Sequence, residues 1–263
     1  MPYSFDQKSV VITGAAGGIG SELAKQLAAK GCRVGLISRR EDRLRELCEE
    51  IVEAGGEAVY AIANIDDRSN VATAIDTVRG QFGRVDMLIA NAGIGDPDVI
   101  EPFEAEKFEW LMRVNWLGLV YSLEAVLPEM LDRGDGYVVA VSSLRAHRGL
   151  PSFAGYGASK AAVNKLMEGL RVDLNDRGID VTTLCPGFVK TAMTDGKNFP
   201  KPWMMQPDDA ARRMISAIRR RRKVHSFPWQ LNLMTRLGQV MPDWVIRRMA
   251  PRDRTSLSRQ LRA

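Results

Sequence analysis

Six short apolar runs punctuate the first two-thirds of the chain, at residues 9–13, 33–37, 58–63, 85–90, 136–142 and 180–185. Each is largely continuous rather than alternating, the pattern of strands covered on both faces. Helical periodicity fills the intervals at 18–30, 40–54, 69–82, 115–133 and 154–176. This β-then-α order predicts an α/β fold, a single doubly wound parallel sheet with helices on both faces and right-handed crossovers. Ligands of such sheets bind beyond the carboxyl ends of the strands. Thr13-Gly14, Ser38-Arg39, Asn91, Ser143 and Pro186-Gly187 each follow a run and fall there. Further on, Leu231, Met234, Leu237, Met241, Trp244, Val245 and Met249 recur at near-helical intervals broken by Pro242, which predicts a C-terminal helical extension. The expected division is a sheet-based unit at 1–228, with a substrate loop at about 193–206, and an extension at 229–263 that is not an independent domain.

Composition changes this picture in two respects. The 263 residues are 45% hydrophobic and carry no Pro/Gly/Ser-rich linker, enough for one full core. The net charge of +5 is unevenly spread: residues 212–263 hold 14 Lys/Arg against 2 Asp/Glu, whereas the rest hold 23 against 30. The basic surface therefore belongs to the C-terminal part, not to the body. Residues 1–7 lack a basic start followed by an apolar stretch, and no run is apolar for long enough to span a bilayer, so a cytoplasmic location is expected. Cys32, Cys48 and Cys185 have unrelated spacings, fitting core thiols in a reducing compartment. His147 and His225 have no second ligand type at metal spacing, and no metal site is expected.

Candidate chemistry begins with Tyr156 and Lys160, whose i, i+4 spacing puts a phenol and an ammonium on one helix face. A neighbouring cation favours the ionised phenol, which lowers its pKa toward general acid/base use. The turn Thr13-Gly14-Ala15-Ala16-Gly17-Gly18-Ile19-Gly20 follows the first strand, where glycines allow close backbone approach to a pyrophosphate held at a helix start. About 20 residues on, where a carboxylate would accept from a ribose 2′-OH, the chain has Ser38, Arg39 and Arg40. Guanidinium suits a 2′-phosphate, so NADP is expected rather than NAD.

These motifs, together with Asn91-Ala92-Gly93, Ser142-Ser143 and Pro186-Gly187-Phe188-Val189-Lys190-Thr191, resemble the short-chain dehydrogenase/reductase family in order and spacing over residues 8–217. The resemblance implies a Rossmann fold and hydride transfer between a nicotinamide and a carbonyl/alcohol pair. It implies cofactor contacts at Gly14, Gly17, Gly18, Ile19, Gly20, Ser38, Arg39, Asn64, Ile65, Asn91, Ala92, Gly93, Tyr156, Lys160, Pro186, Gly187, Val189 and Thr191. Ser143, thirteen residues before Tyr156, would hold the substrate carbonyl, and Tyr156 would exchange its proton. Lys160 would hold the ribose hydroxyls, and Asn115 would position a water that relays protons to it. The chain departs from the family at Gly17, where many NADP-using members carry a basic residue, which leaves Arg39 as the main electrostatic contact. Asn64 stands where relatives present an aspartate to the adenine.

For the substrate, Ser143, Phe153, Phe188, Met193 and Trp203 are the expected contacts, with Phe199, Met204 and Met205 adding to an adaptable apolar lining. Arg145 reads as a surface arginine or a contact for an anionic group. The usual Val-Asp-Gly-Gly ending is replaced by Val224-His225-Ser226-Phe227-Pro228-Trp229, which puts the family's usual tetramer contact in doubt; a homo-oligomer is expected, a dimer before a tetramer. The apolar stripe beside Arg236, Arg247 and Arg248 leaves three readings open: packing on the domain, a dimer seam, or peripheral contact with an anionic membrane. From Arg252 onward a frayed polar tail is expected. The basic run 219–223 has only charge to suggest nucleic acid, and no specific binding is expected. The competing function is a non-catalytic NADP-binding regulator, disfavoured by the full set Asn115, Ser143, Tyr156 and Lys160.

Overall fold

The computed structural model describes residues 2–97, 102–195 and 200–249. Phe199 and the tail from Arg252 lie outside the described residues. Seven parallel strands form one sheet in the order β3-β2-β1-β4-β5-β6-β7. They are β1 (Ser9–Thr13), β2 (Arg33–Ser38), β3 (Glu57–Ile62), β4 (Met87–Ala90), β5 (Gly136–Val141), β6 (Ile179–Pro186) and β7 (Val224–Phe227). The order reverses between β1 and β4, the switch point at which such sheets open to ligand.

One face of the sheet is covered by α1 (Ile19–Ala28), α2 (Glu41–Glu53) and α7 (Pro207–Arg219). Leu23, Leu27, Leu44, Met214 and Ile218 of these helices join Ile12, Leu36 and Ile89 in one buried cluster. The other face carries α3 (Arg68–Phe82), α5 (Gly118–Arg133) and α6 (Ala154–Asp173). There Val71, Ile75, Leu123, Val126, Val163 and Met167 pack on Val11, Leu88 and Val138. Successive residues of one strand thus enter opposite clusters, as continuous apolar runs require.

The expected fourth strand begins two residues late. Asp86 is buried, and its carboxylate accepts from the Ser9 N–H at 2.9 Å while pairing with Arg84 at 2.7 Å and Lys8 at 3.5 Å. A short helix α4 (Ala105–Met112) precedes a five-residue π-turn (Arg113–Leu117), so the predicted helix from Asn115 begins inside a continuous helical run. After β7 come α8 (Trp229–Val240) and α9 (Asp243–Met249). No helix among the described residues is long and apolar enough to cross a membrane.

Candidate active site

The turn between β1 and α1 has almost no room for side chains. Gly14 has φ +67°, and a Cβ there would lie 2.8 Å from Ala92 Cα; one at Gly20 would lie 2.3 Å from the Gly14 carbonyl oxygen. Asn91, at the end of β4, locks this turn by donating from Nδ2 to the carbonyls of Thr13 (3.1 Å) and Gly14 (3.2 Å). The Thr13 hydroxyl returns the tie, accepting from the N–H groups of Asn91 and Ala92 at 3.1 Å each. Gly18 starts α1 without a side-chain cap, so the N–H groups of the first turn, from Ile19 onward, find no side-chain acceptor there. This backbone cradle fits a pyrophosphate.

Opposite it stands the segment after β6. A Cβ at Gly18 would come within 2.9 Å of Thr191 Cγ2, so the glycine turn and the Pro186–Thr191 segment face each other across a narrow gap. Gly187 donates to the Phe227 carbonyl at 2.7 Å, and Val189 is buried in a bridge with Met205. Thr191 is fixed through Thr194, whose hydroxyl accepts its N–H at 3.0 Å.

Between β2 and α2, it is Arg40 rather than Arg39, expected as the main electrostatic contact, that reaches the glycine turn. Its Nη2 donates to the Ala16 carbonyl at 2.8 Å, and a Cβ at Gly17 would sit 3.0 Å from that nitrogen. The Arg40 guanidinium therefore lies beside Gly17, the position at which many NADP-using relatives carry a basic residue. Arg39 is exposed beside it, and the Ser38 hydroxyl accepts the Arg40 N–H at 3.4 Å. Asn64 is exposed just past β3, and Ile65 packs against Gly118 of α5, where a Cβ would be 2.7 Å from Ile65 Cγ1.

Ser143, Tyr156, Lys160 and Asn115 converge at the ends of β4 and β5. Ser143 is buried at the end of β5, and its hydroxyl accepts the Arg145 N–H at 3.1 Å. Lys160 is 4% exposed and donates from Nζ to the Val141 carbonyl at 2.9 Å. Gly93 keeps this corner open, since a Cβ there would lie 3.0 Å from Asn115 Oδ1 and 3.1 Å from Lys160 Nζ. The Asn115 amide is fully engaged: Oδ1 accepts from the Ile94 N–H at 2.8 Å, and Nδ2 donates to the Ile94 carbonyl (3.0 Å) and Ser159 Oγ (2.9 Å). It sits in the π-turn, whose i→i+5 bonding displaces the backbone carbonyls from their helical partners.

The expected lowering of the tyrosine pKa is reversed. Burial pushes the Tyr156 phenol up, opposed by the Ser143 hydrogen bond and the Arg145 charge. Burial also depresses Lys160, to about 8, with the Cys185 thiol acting the other way. The i, i+4 spacing does bring both residues to one site, but burial dominates at each, and the cation that acts on the phenol is Arg145 rather than Lys160.

The substrate side divides. Phe153 is buried, Phe188 half-buried, and Met193 Sδ lies over Gly95, where a Cβ would be 2.9 Å from the sulfur and 3.3 Å from the Tyr156 ring. Trp203 instead is 45% exposed on a turn and makes no hydrogen bond or ring contact among the described residues. Met205 is buried in the core cluster that also holds Met214 and Ile218, and its backbone bridges Val189. Sequence reasoning missed Gly95, whose signal is a second glycine just after Asn91-Ala92-Gly93, and Arg148. Arg148 donates to the Gly238 and Gln239 carbonyls at 2.6 and 3.1 Å and to Asp243 at 2.7 Å, capping the C-terminal end of α8. The extension therefore packs on the loop after Ser143, and Leu231 covers Gly187 from the other side, 2.7 Å from the place of a Cβ.

No group of three or more His, Cys, Asp or Glu suited to a metal occurs among the described residues. The basic run 219–223 is partly structural: Arg221 pairs with Asp180 and lies 5.4 Å from the Tyr3 ring centre.

A family model described as short chain dehydrogenase matches residues 8–201. An uncharacterized oxidoreductase of Myxococcus xanthus is 37% identical over 236 residues, covering 90% of this chain and 93% of that protein. A short-chain dehydrogenase/reductase from Burkholderia phymatum, solved in complex with NAD, superposes with a TM-score of 0.83 at 25% identity over 89% of this chain and 94% of that one. An actinorhodin polyketide ketoreductase variant with NADPH superposes at 0.79, 26% identical, over 88% and 99%.

Proposed function

The chain belongs to the short-chain dehydrogenase family and is an NAD(P)-dependent oxidoreductase, and from that premise we propose that it interconverts carbonyl and alcohol groups on a largely apolar substrate, with NADP as cofactor. The observation that carries this reading is the convergence of Tyr156 with buried Ser143, Lys160 and Asn115 around Gly93 and Gly95, beside the glycine cradle. The bound nicotinamide supplies or accepts the hydride. Ser143 Oγ orients the substrate carbonyl by donating to its oxygen. Tyr156 Oη delivers the proton to that oxygen in reduction and recovers it in oxidation. Its raised pKa keeps the phenol protonated at neutral pH, the form needed for donation. Lys160 Nζ holds the ribose hydroxyls and replenishes the Tyr156 proton, with Asn115 positioning the connecting water. Gly14, Gly17, Gly18, Ile19 and Gly20 hold the pyrophosphate, Asn64 and Ile65 the adenine, and Pro186, Gly187, Val189 and Thr191 the carboxamide side.

NADP is favoured over NAD by Ser38-Arg39-Arg40, which offers two cations and no carboxylate to the ribose 2′ position. A screen of the purified chain with NADPH against ketones and aldehydes, and with NADP⁺ against alcohols, tests the activity. Turnover that survives Tyr156→Phe at the wild-type rate would refute the mechanism, and cofactor binding without turnover of any carbonyl or alcohol would favour a regulator instead.

The outer face of α8 supports a reading about partners. Trp229, Leu233, Leu237 and Val240 are exposed, with Trp244 of α9 next to them. This stripe is proposed to form the seam of a homodimer. Sedimentation should then show a dimer that Leu233→Glu with Leu237→Glu dissociates; a monomer that instead co-sediments with anionic liposomes at low salt would assign the face to a membrane surface.

A further inference from the structure

In the segment after β6, a single hydroxyl joins two residues of the cofactor side. Thr194 Oγ1 accepts the Thr191 N–H at 3.0 Å and has one proton to give. Two carbonyls lie within its reach, Val189 at 2.7 Å and Thr191 at 3.1 Å. The Thr191 carbonyl already receives the N–H groups of Thr194 and Asp195, each at 2.9 Å, so the proton goes to Val189. The hydroxyl thereby ties Val189 to Thr191 across Lys190. Both ends of the tie are anchored. The Lys190 N–H donates to the Met205 carbonyl at 2.9 Å, and Lys201 Nζ donates to the Thr194 carbonyl at 2.6 Å.

The turn closed in this way faces two sides. Thr191 Cγ2 stands 2.9 Å from the place of a Cβ at Gly18, against the glycine turn, while Met193 Sδ stands 2.9 Å from the place of one at Gly95, beside the Tyr156 ring. Without the hydroxyl, the Thr191 N–H and the Val189 carbonyl would lose a part-buried partner, and the turn would shift to recover it. The glycine turn is held separately, by Asn91 and Thr13, so such a shift would reach the nicotinamide end of a bound cofactor and spare the pyrophosphate and adenine. Resting on the reading above, in which Val189 and Thr191 meet the carboxamide, we propose that Thr194 is a positioning residue whose hydroxyl sets the pose of the nicotinamide ring against the substrate by holding Val189 and Thr191 together.

The test compares the wild type with Thr194→Val, which keeps the shape and removes the hydroxyl, and with Thr194→Ser, which keeps the hydroxyl. Each full chain is titrated with NADPH and with 2′-phospho-ADP-ribose, which lacks the nicotinamide, and is assayed on the carbonyl compound that the wild type reduces best. If the wild type prefers NADH, then NADH and ADP-ribose take their places. Thr194→Val should bind NADPH about tenfold more weakly and the fragment within about twofold of wild type, with kcat lowered about tenfold and KM for the carbonyl compound changed less. Thr194→Ser should stay within about twofold of wild type in every measure. Equal weakening of NADPH and fragment in Thr194→Val would make the threonine a brace for the whole site and overturn the proposal while leaving the oxidoreductase reading intact. Unchanged NADPH binding and kcat in Thr194→Val, or a Thr194→Ser as impaired as Thr194→Val, would do the same. A folded wild type that turns over no carbonyl or alcohol sinks that reading, and this one with it.

Discussion

The turn between β1 and α1 is shaped by side chains that are absent, whereas the stretch from Ser143 to Tyr156 is shaped by side chains that reach far along the chain. In the first, Gly14, Gly18 and Gly20 each exclude a Cβ because backbone or a neighbouring loop stands within 3 Å. In the second, Arg145 spans to Phe188, and Arg148 caps a helix ending ninety residues later. A backbone-built surface binds a group common to many molecules, while a side-chain-built wall is free to vary with the substrate.

Placing one methyl in the first region and another against the Tyr156 ring that ends the second is the strongest way to break this contrast. Gly20→Ala should weaken cofactor binding by roughly a hundredfold, since the Cβ would meet the Gly14 carbonyl, the Asn91 amide and Ala15 Cα at once and none can yield cheaply. Gly95→Ala should leave the cofactor dissociation constant unchanged and lower kcat/KM about tenfold, because Met193 can swing away but the Tyr156 ring cannot. Calorimetric titration with NADPH and steady-state rates separate the two, with thermal melts to confirm folding. Equal loss of cofactor binding in both variants would mean that the two regions are one unit.

Cofactor choice sharpens the first region alone. Ser38→Asp with Arg39→Ala should turn the preference from NADP(H) toward NAD(H) by about 1.5–3 kcal/mol, roughly tenfold to a hundredfold. Adding Arg40→Ala should extend the change, given its seat over Gly17. A wild type that prefers NAD(H) in competition assays would refute the 2′-phosphate role of both arginines and leave Arg40 as a tie to the glycine turn.

The same contrast explains what the sequence could reveal. All six apolar runs became strands within two residues of their expected ends; in the five inner ones burial on both faces leaves few polar positions to blur the run, whereas β3, at the sheet edge, buries only Ala61. Asp86 shows the limit: it reads as the interior of a run, yet its carboxylate is taken by Ser9 and Lys8 from another part of the chain. The glycine spacing was legible for the same reason that it is functional, since a missing side chain is visible in the sequence itself. Trp203 and Met205 were not, because an apolar residue after β6 serves lining, core and surface equally well. Only tertiary placement decides among them. The pKa of Tyr156 was hidden too, as spacing shows the ammonium but not the desolvation around it.

That desolvation makes a test of its own. Lys160 is depressed to about 8 in the folded protein from an ordinary 10.5, so the unfolded chain binds more protons between these values and stability contributed by this group rises with pH across that window. Below about 8 the buried ammonium is a standing cost. Lys160→Met should therefore melt higher than wild type at pH 7, with the gap narrowing toward pH 10. A gap that stays constant with pH would place the lysine at its ordinary value and remove desolvation from the account.

The smallest expected effect concerns the joint between the second region and the extension. Arg148 donates to two carbonyls at the end of α8, where a cation also meets the negative end of the helix dipole, and Gln239 Nε2 returns a bond to the His147 carbonyl at 2.9 Å. Its pairing with Asp243 is exposed on the aspartate side and adds little. Arg148→Ala should cost about 1 kcal/mol of stability, mostly from the caps. Because the cap holds the loop that begins at Ser143, KM for substrate should rise about two- to fivefold while NADPH affinity stays unchanged. Asp243→Ala should do almost nothing by either measure. Arg148→Lys separates charge from geometry: a lysine restores the dipole interaction but cannot donate in a fork to successive carbonyls, so KM should recover only in part. If Arg148→Ala left KM untouched while lowering the melting temperature, α8 would be a brace for the fold with no hold on the substrate side.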